Sequence, residues 1–329
     1  MSENDSHGFY EVVPDGFDLL GATPDKLDLY GIPQRPDPET EPQLLAFWTR
    51  LVSGKFKARR PTFSSIEQPL LGGAQESMLN WSGGLISAPW PKRLVFVSAG
   101  WHAPGVRPPS APALFTPSND SKSLLWVGLD GHNGLLPNIS LPQIGTGHWP
   151  NRKPQHFAWR DWWRNSPAEA VKAPNKAITL IDNLPINTGD EILAGLAVLV
   201  SEDVLCFIKN HTTGEFRSFL AKRQPLGDIE PLGSTVEWVM ERPTDPASGK
   251  LFPLPDYDTV NFKYCLARAA DGPLGPGRLM TLADNALMIQ MRAAFADPYR
   301  TVIVSRATTR KEKDSNDPIG VTCTFQSPT

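Results

Sequence analysis

Most of this chain reads as short stretches in which apolar residues either alternate with polar ones or run unbroken between turn signals. The clearest is Thr235-Val236-Glu237-Trp238-Val239-Met240-Glu241. Side chains alternate along a strand, so Val236, Trp238 and Met240 share one face and Thr235, Glu237, Val239 and Glu241 the other. One face is core-like. The other carries two carboxylates four residues apart, which on pattern alone is most simply a solvated sheet face.

The same reading gives strands at Gly84–Ser87, Arg93–Trp101, Ser123–Leu129, Asn138–Ile144, Gln155–Trp163, Glu191–Val200, Val204–Asn210 and Phe216–Leu220. It continues through Thr235–Glu241, Thr259–Tyr264, Leu287–Arg292, Thr301–Arg306 and Gly320–Phe325. Asn210-His211-Thr212-Thr213-Gly214-Glu215 has the composition of a hairpin turn, with Gly214 free to take a positive φ. The lysine-rich Arg310–Lys313 with Asp314–Asp317 reads as a solvated hairpin loop. Short strands separated by turn signals predict an all-β fold, an antiparallel two-sheet β-sandwich.

The start of the chain differs. Its first 41 residues hold ten acids and two bases, Lys26 and Arg35, with recurrent prolines. Pro42 then opens a helical pattern through Leu44, Leu45, Phe47, Trp48, Leu51 and Val52, with Gly54 as its stop. Residues 1–70 are therefore expected to be an N-terminal extension with one helix, and 71–329 the β-sandwich. The helix either packs on the main domain or belongs to a removable pro-segment.

Composition narrows the function classes. Lys plus Arg number 32 against 35 Asp plus Glu, a formal charge of −3 that offers nothing to nucleic acid or an anionic membrane. No apolar run is long enough to span a bilayer, and the acidic N-terminus lacks the form of a signal peptide, which leaves the compartment open. Three scattered cysteines, Cys206, Cys265 and Cys323, give neither a metal pattern nor a disulfide framework and read as small buried residues. The 33 prolines favour loops and edges over long helices. Eight of the ten tryptophans fall between residues 81 and 163, as in a deep core or an aromatic cleft.

Several segments, in order, resemble one family. Asn80-Trp81-Ser82-Gly83-Gly84 is similar to an Asn-Trp-Gly-Gly segment, and Trp126-Val127-Gly128-Leu129-Asp130-Gly131 to a Trp-Val-Gly-Ile-Asp-Gly strand. Leu141-Pro142-Gln143-Ile144-Gly145 resembles Leu-Gln-x-Gly, and Ala158-Trp159-Arg160-Asp161-Trp162 resembles Ala-Trp-Tyr-Glu-Trp. Ile208–Gly214 is similar to a Leu-Glu-Asn-Leu-Thr-Thr-Gly hairpin, and Val236–Glu241 to Ala-Glu-Trp-Ile-Val-Glu. Each motif is weak alone; together, from about residue 78 to 325, they resemble the eqolisins, or glutamic endopeptidases. The resemblance implies a concanavalin-like sandwich, and a catalytic pair that falls on Gln143 and Glu241. It gives Glu237 a supporting role, and places Trp81, Trp126, Asp130, Trp159 and Asp161 around the cleft. It implies peptides or unfolded proteins as substrates for a monomeric acid endopeptidase that needs no cofactor and no metal.

The chemistry of such a pair is direct. Peptide hydrolysis needs an activated water, a stabilised oxyanion and a proton for the leaving amine. An ionised Glu241 can take the water's proton and later pass it to the amine; the Gln143 amide can hold the water and donate to the oxyanion. An unperturbed carboxyl near 4.3 predicts an acidic optimum. Some positions depart from the family pattern. Asp161 replaces Glu, Gly147 stands where an Asp is common, and Arg160 and Arg164 are expected to lower nearby carboxyl pKa values. Pro142 predicts an edge or a bulge. A competing reading is a lectin-like module stacking sugars on its tryptophans, with Asp130-Gly131-His132-Asn133 as polar contacts. Asn-x-Ser/Thr sequons at Asn80, Asn119, Asn138 and Asn210 fit chance placement.

Overall fold

The structure is a computed structural model that describes residues 7–67, 77–109, 120–132, 139–165, 177–222, 231–245, 250–272, 277–294, 301–312 and 317–327. In chain order the elements are β1 (His7–Gly8), α1 (Pro24–Leu29), α2 (Pro42–Val52), β2 (Lys57–Ala58), β3 (Phe63–Glu67), α3 (Ser77–Asn80), β4 (Trp81–Ser87) and β5 (Arg93–His102). Next come β6 (Ser123–Leu129), β7 (Ile139–His148), β8 (His156–Asn165), β9 (Ala177–Ile181), β10 (Glu191–Val198), β11 (Val204–Asn210), β12 (Glu215–Ala221) and β13 (Thr235–Glu241). The chain closes with β14 (Thr259–Ala270), β15 (Arg278–Met280), β16 (Leu287–Ile289), β17 (Met291–Ala294), β18 (Thr301–Lys311) and β19 (Pro318–Phe325).

These strands form two sheets. One runs β16-β4-β13-β6-β7-β8-β9-β3; the other runs β1-β12-β11-β10-β5-β14-β19-β18-β17, with β15 beside β14 and β2 beside β12. Pairing is antiparallel except for β2 along β12. The expected all-β, two-sheet antiparallel sandwich is the observed fold. Its core lies between the sheets, where Val236, Trp238 and Met240 of β13 meet Val97 and Ala99 of β5 and Leu196 of β10. Trp238 Nε1 donates to the Ser98 carbonyl at 2.8 Å, satisfying its one polar atom inside that core.

Some expectations changed. The single strand expected at Leu287–Arg292 is two, β16 in one sheet and β17 in the other. Gln290 makes the crossing: its amide donates to the Ala307 carbonyl and its oxygen accepts the Ala307 N–H, at 2.8 and 3.0 Å, which replaces a ladder rung. Strands β14 and β18 run on to Ala270 and Lys311, so Arg310 and Lys311 are strand rather than loop; residues 313–316 of that loop lie outside the described residues. Strand β7 is interior, between β6 and β8, although it contains Pro142. The proline is tolerated because the β6–β7 ladder ends at Gly128↔Gln143, one residue short of it. Arg160 does not sit beside the site acids. Alternation sends it to the face opposite Asp161, where its guanidinium carbon lies 5.8 Å from the Phe63 ring.

Helix α2 starts at Pro42 and ends before Gly54, which takes φ +72°. Its apolar side, Leu44, Phe47, Trp48, Leu51 and Val52, packs on Phe96, Leu193, Phe207 and Phe216, on the outer face of the larger sheet. Lys209 Nζ caps the helix C-terminus through the Leu51 and Ser53 carbonyls, both at 2.8 Å. A second helix, α1, lies within the same segment, and β3 joins the edge of the smaller sheet beside β9. The three cysteines are buried as free thiols.

Candidate active site

The outward face of the smaller sheet carries the residues that the motifs singled out. Register puts them in rows. Glu237, Gly128, Gln143 and Asp161 lie across one row, and Val239, Trp126, Gly145 and Trp159 across the next. A third row holds Trp81, Glu241, Leu124, Gly147 and Phe157. The rows are two residues apart, so all three point the same way. Bulky rings sit beside glycines along them. A Cβ on Gly145 would fall 1.9 Å from the Leu125 carbonyl oxygen and 2.8 Å from Trp126 Cβ, so the close approach of β6 and β7 under the Trp126 indole requires glycine.

This face is not solvated. Glu237 is 0% and Glu241 2% exposed, and Gln143 is 3% exposed. The tryptophan run divides by strand parity. Trp101, Trp162 and Trp238 enter the inter-sheet core, whereas Trp81, Trp126, Trp149, Trp159 and Trp163 pack together around the acids. Trp81 meets Trp126 edge-on, with centroids 5.0 Å apart. Trp90, by contrast, is 95% exposed. The five site indoles are all buried, so they offer no open platform to a sugar ring.

Trp126 and Asn80 donate to Glu241. Trp126 Nε1 reaches its Oε2 at 2.8 Å and Asn80 Nδ2 its Oε1 at 3.3 Å. Burial pushes its pKa up to about 8; the Trp81, Trp126 and Asn80 N–H groups act against the rise, and the Asp161 charge adds to it. Asp161 is the register partner of Gln143, so the electrostatic link between Asp161 and Glu241 runs toward the Gln143 side of the sheet. Glu237 is also pushed up to about 8, first by burial and then by the Asp130 charge, against the Thr235 hydroxyl and the Gly131 and His132 backbone N–H groups. Among the described residues neither of its buried carboxylate oxygens has a hydrogen bond of normal geometry, so those three donors bear on it only weakly. The register thus sets Glu237 in the row of Gln143, with Glu241 four residues further along, while Asp130, Gly131 and His132, which act on Glu237 together with Thr235 of its own strand, belong to the turn after β6. Two carboxyls raised by burial correct the expectation that nearby arginines hold this region's acids low. The Arg164 side chain and Asn133 lie outside the described residues.

Asp130 does something more specific than line a cleft. At φ +72° its carboxylate accepts Gly233 N–H at 3.0 Å, Ser234 N–H at 2.6 Å and the Ser234 hydroxyl at 2.9 Å. It ties the end of β6 to the chain entering β13, fixing where the acid-bearing strand begins. Burial nevertheless raises its own pKa. Two neighbours were not singled out from sequence as site residues. Asn80 is one; its place at the head of the Asn-Trp motif was the signal. Arg242, next to Glu241, is the other: it is buried, donates from Nε to the Leu79 carbonyl at 2.8 Å and from Nη2 to the Arg292 carbonyl at 3.1 Å, and desolvation lowers its pKa to about 10.

Solved structures share this architecture. Scytalido-glutamic peptidase bound to a transition state analog inhibitor superposes with a TM-score of 0.54 at 16% identity, over 75% of this chain and 98% of that one. SCP-B, described as a member of the eqolisin family of peptidases and bound to the tripeptide Ala-Ile-His, gives 0.51 at 16% identity over the same shares. At that identity the likeness is one of fold. No curated protein sequence matches the chain. Residues 79–296 match the model of the Peptidase A4 family, a span that contains every row of the face described above. The chain belongs to the Peptidase A4 family, the eqolisins, and is a peptide hydrolase.

Proposed function

We propose that the protein is an endopeptidase in which Gln143 and Glu241 activate one water molecule. The observation that carries the reading is the setting of Glu241: a buried carboxyl gripped by Trp126 and Asn80 and sensing the charge of Asp161, the cross-strand partner of Gln143. In the reaction the Glu241 carboxylate accepts a proton from water as the oxygen attacks the scissile carbonyl. The Gln143 amide N–H stabilises the oxyanion, whose collapse breaks the C–N bond, and Glu241 returns the proton to the amine. A base must be ionised to act. With its pKa pushed up to about 8, Glu241 is mostly protonated in acid, so kcat/KM is expected to rise with pH through the acidic range toward neutrality. This replaces the acidic optimum expected for an unperturbed carboxyl.

A second reading has one observation in its favour: Glu237 shares the row of Gln143 across Gly128, which has no side chain to part them. The same assay separates the two. Cleavage of an unfolded protein is measured for Gln143→Ala, Glu241→Gln and Glu237→Gln. The proposal requires the first two to lose activity by a thousandfold or so, on the order of a lost base or oxyanion donor. Full activity in Glu241→Gln sinks it, and loss confined to Glu237→Gln and Gln143→Ala transfers the base role to Glu237.

The placement of residues 7–58 supports reading them as part of the folded domain rather than as a cover for the site. They pack on the outer face of the larger sheet, and the site lies on the outer face of the smaller one.

A further inference from the structure

The row of Glu241 ends under the turn joining β7 to β8. Gly147 lies there beneath Phe157, and a Cβ on it would come within 2.1 Å of the Phe157 ring. Arg152 folds back from the turn onto the same ring, its guanidinium carbon 4.4 Å from the Phe157 centroid and 5.3 Å from that of Trp149. From the segment before β6, Lys122 Nζ comes 4.6 Å from the Trp149 centroid and 3.8 Å from that of Phe252. Two cations therefore share one indole. Each is attracted by the ring, but they repel each other. Lys122 is paired with Asp120 at 3.1 Å. Among the described residues, Arg152 Nη1 is instead buried with no hydrogen-bond partner, and so is the Nε1 of the neighbouring Trp149. Asp182 bears on Arg152 through charge alone.

Aromatic stacking accounts for the position of Arg152 but not for two buried N–H donors left without an acceptor. A carboxylate satisfies both donors and cancels the repulsion between the cations. We infer that Arg152, with Trp149 Nε1 beside it, is a specificity-determining contact that receives a carboxylate of the peptide substrate at the β7–β8 end of the site face. The inference rests on the proposed Gln143–Glu241 peptidase reading. The carboxylate comes from an internal Asp or Glu side chain or from the substrate C-terminus, the same chemistry from two sources.

Two peptide pairs distinguish the sources. In one, an internal Glu is replaced by Gln; in the other, a free C-terminus is replaced by its amide. For the wild type, kcat/KM is expected to favour the carboxylate member of one pair by about tenfold, the scale of a single charge-assisted hydrogen bond. Arg152→Gln should bring that ratio close to one, and Arg152→Lys should keep its direction, with far-UV circular dichroism confirming the fold of each variant. No preference in either pair, or an unchanged ratio in Arg152→Gln, overturns the inference. If none of the peptides is cleaved, the peptidase mechanism fails, and the subsite is read by titrating the same peptides against Glu241→Gln and Glu241→Gln/Arg152→Gln while following tryptophan fluorescence. Tighter binding of the carboxylate member that disappears in the double variant supports the subsite; equal binding of both members overturns it.

Discussion

Glu237 is fully buried, its oxygens lack a hydrogen bond of normal geometry among the described residues, and burial pushes its pKa up to about 8 against 4.5 for the free group. Its charge is thus a burden on the folded state, and replacing it with Gln should change how stability depends on pH. The native state keeps this proton to about pH 8, whereas the unfolded chain loses it near 4.5. A raised carboxyl therefore contributes stability in full below the unfolded pKa, and that contribution disappears as pH rises through the folded one. The interval from about pH 6.5 to 8 isolates the effect. Below it, His148 and His156, buried with lowered pKa values, work in the opposite direction. Toward its upper end Lys209, lowered to about 8, begins to add stability with pH, in both proteins alike. Each pH unit is worth about 1.4 kcal/mol per group. Allowing for half-titration at the upper end, Glu237 removes roughly 1 to 2 kcal/mol across the interval and Glu241, with the same raised pKa, removes about as much. Wild-type stability should therefore fall by about 3 kcal/mol and that of Glu237→Gln by about half as much. Urea unfolding followed by tryptophan fluorescence at four pH values gives both slopes, with the m-value showing that the unfolding reaction is the same. Equal slopes for the two proteins would refute the reasoning, because they would mean that Glu237 is ionised in the folded state.

Two other substitutions test the site from different sides. Trp126→Phe removes the N–H that donates to Glu241 at 2.8 Å; since that bond favours the anion, the Glu241 pKa should rise and the ascending limb of the pH–kcat/KM profile should move to higher pH, with an unmoved limb counting against Glu241 as the titrating group. Gly145→Ala forces a Cβ to within 1.9 Å of the Leu125 carbonyl oxygen; parting two paired strands should cost about 3 kcal/mol or more, read as a lowered urea midpoint, and a midpoint within error of the wild type would show that the strands have room.

The division of β13 into a core face and an acid face was legible in Val236, Trp238 and Met240 against Glu237 and Glu241, because strand period fixes side-chain direction without reference to any partner. Most strands were legible for the same reason. So was α2, whose start at Pro42 and end before Gly54 are set by local backbone chemistry. The short β1, β2, β3, β9 and β15 were missed; they pair at or next to sheet edges, where partner strands rather than local pattern supply the driving force. The break at Gln290 was invisible because a strand that changes sheets keeps its propensity while changing its neighbours. At the site, motif order pointed to Gln143, Glu241 and the tryptophans. It put Asn80 at the head of a motif without pairing it with Glu241, and it gave no sign of Arg152 above Phe157.

The sequence by itself determined the class of fold and the strand that carries the acids, since both depend on local period and residue type. Only the tertiary structure decided that the face bearing Glu237 and Glu241 is buried rather than solvated. What settles that is the packing of Trp81, Trp126 and Trp159 from three other strands around the acids. Removing water from a carboxyl raises its pKa, and the number of indoles that remove it is set by strands far apart in the chain.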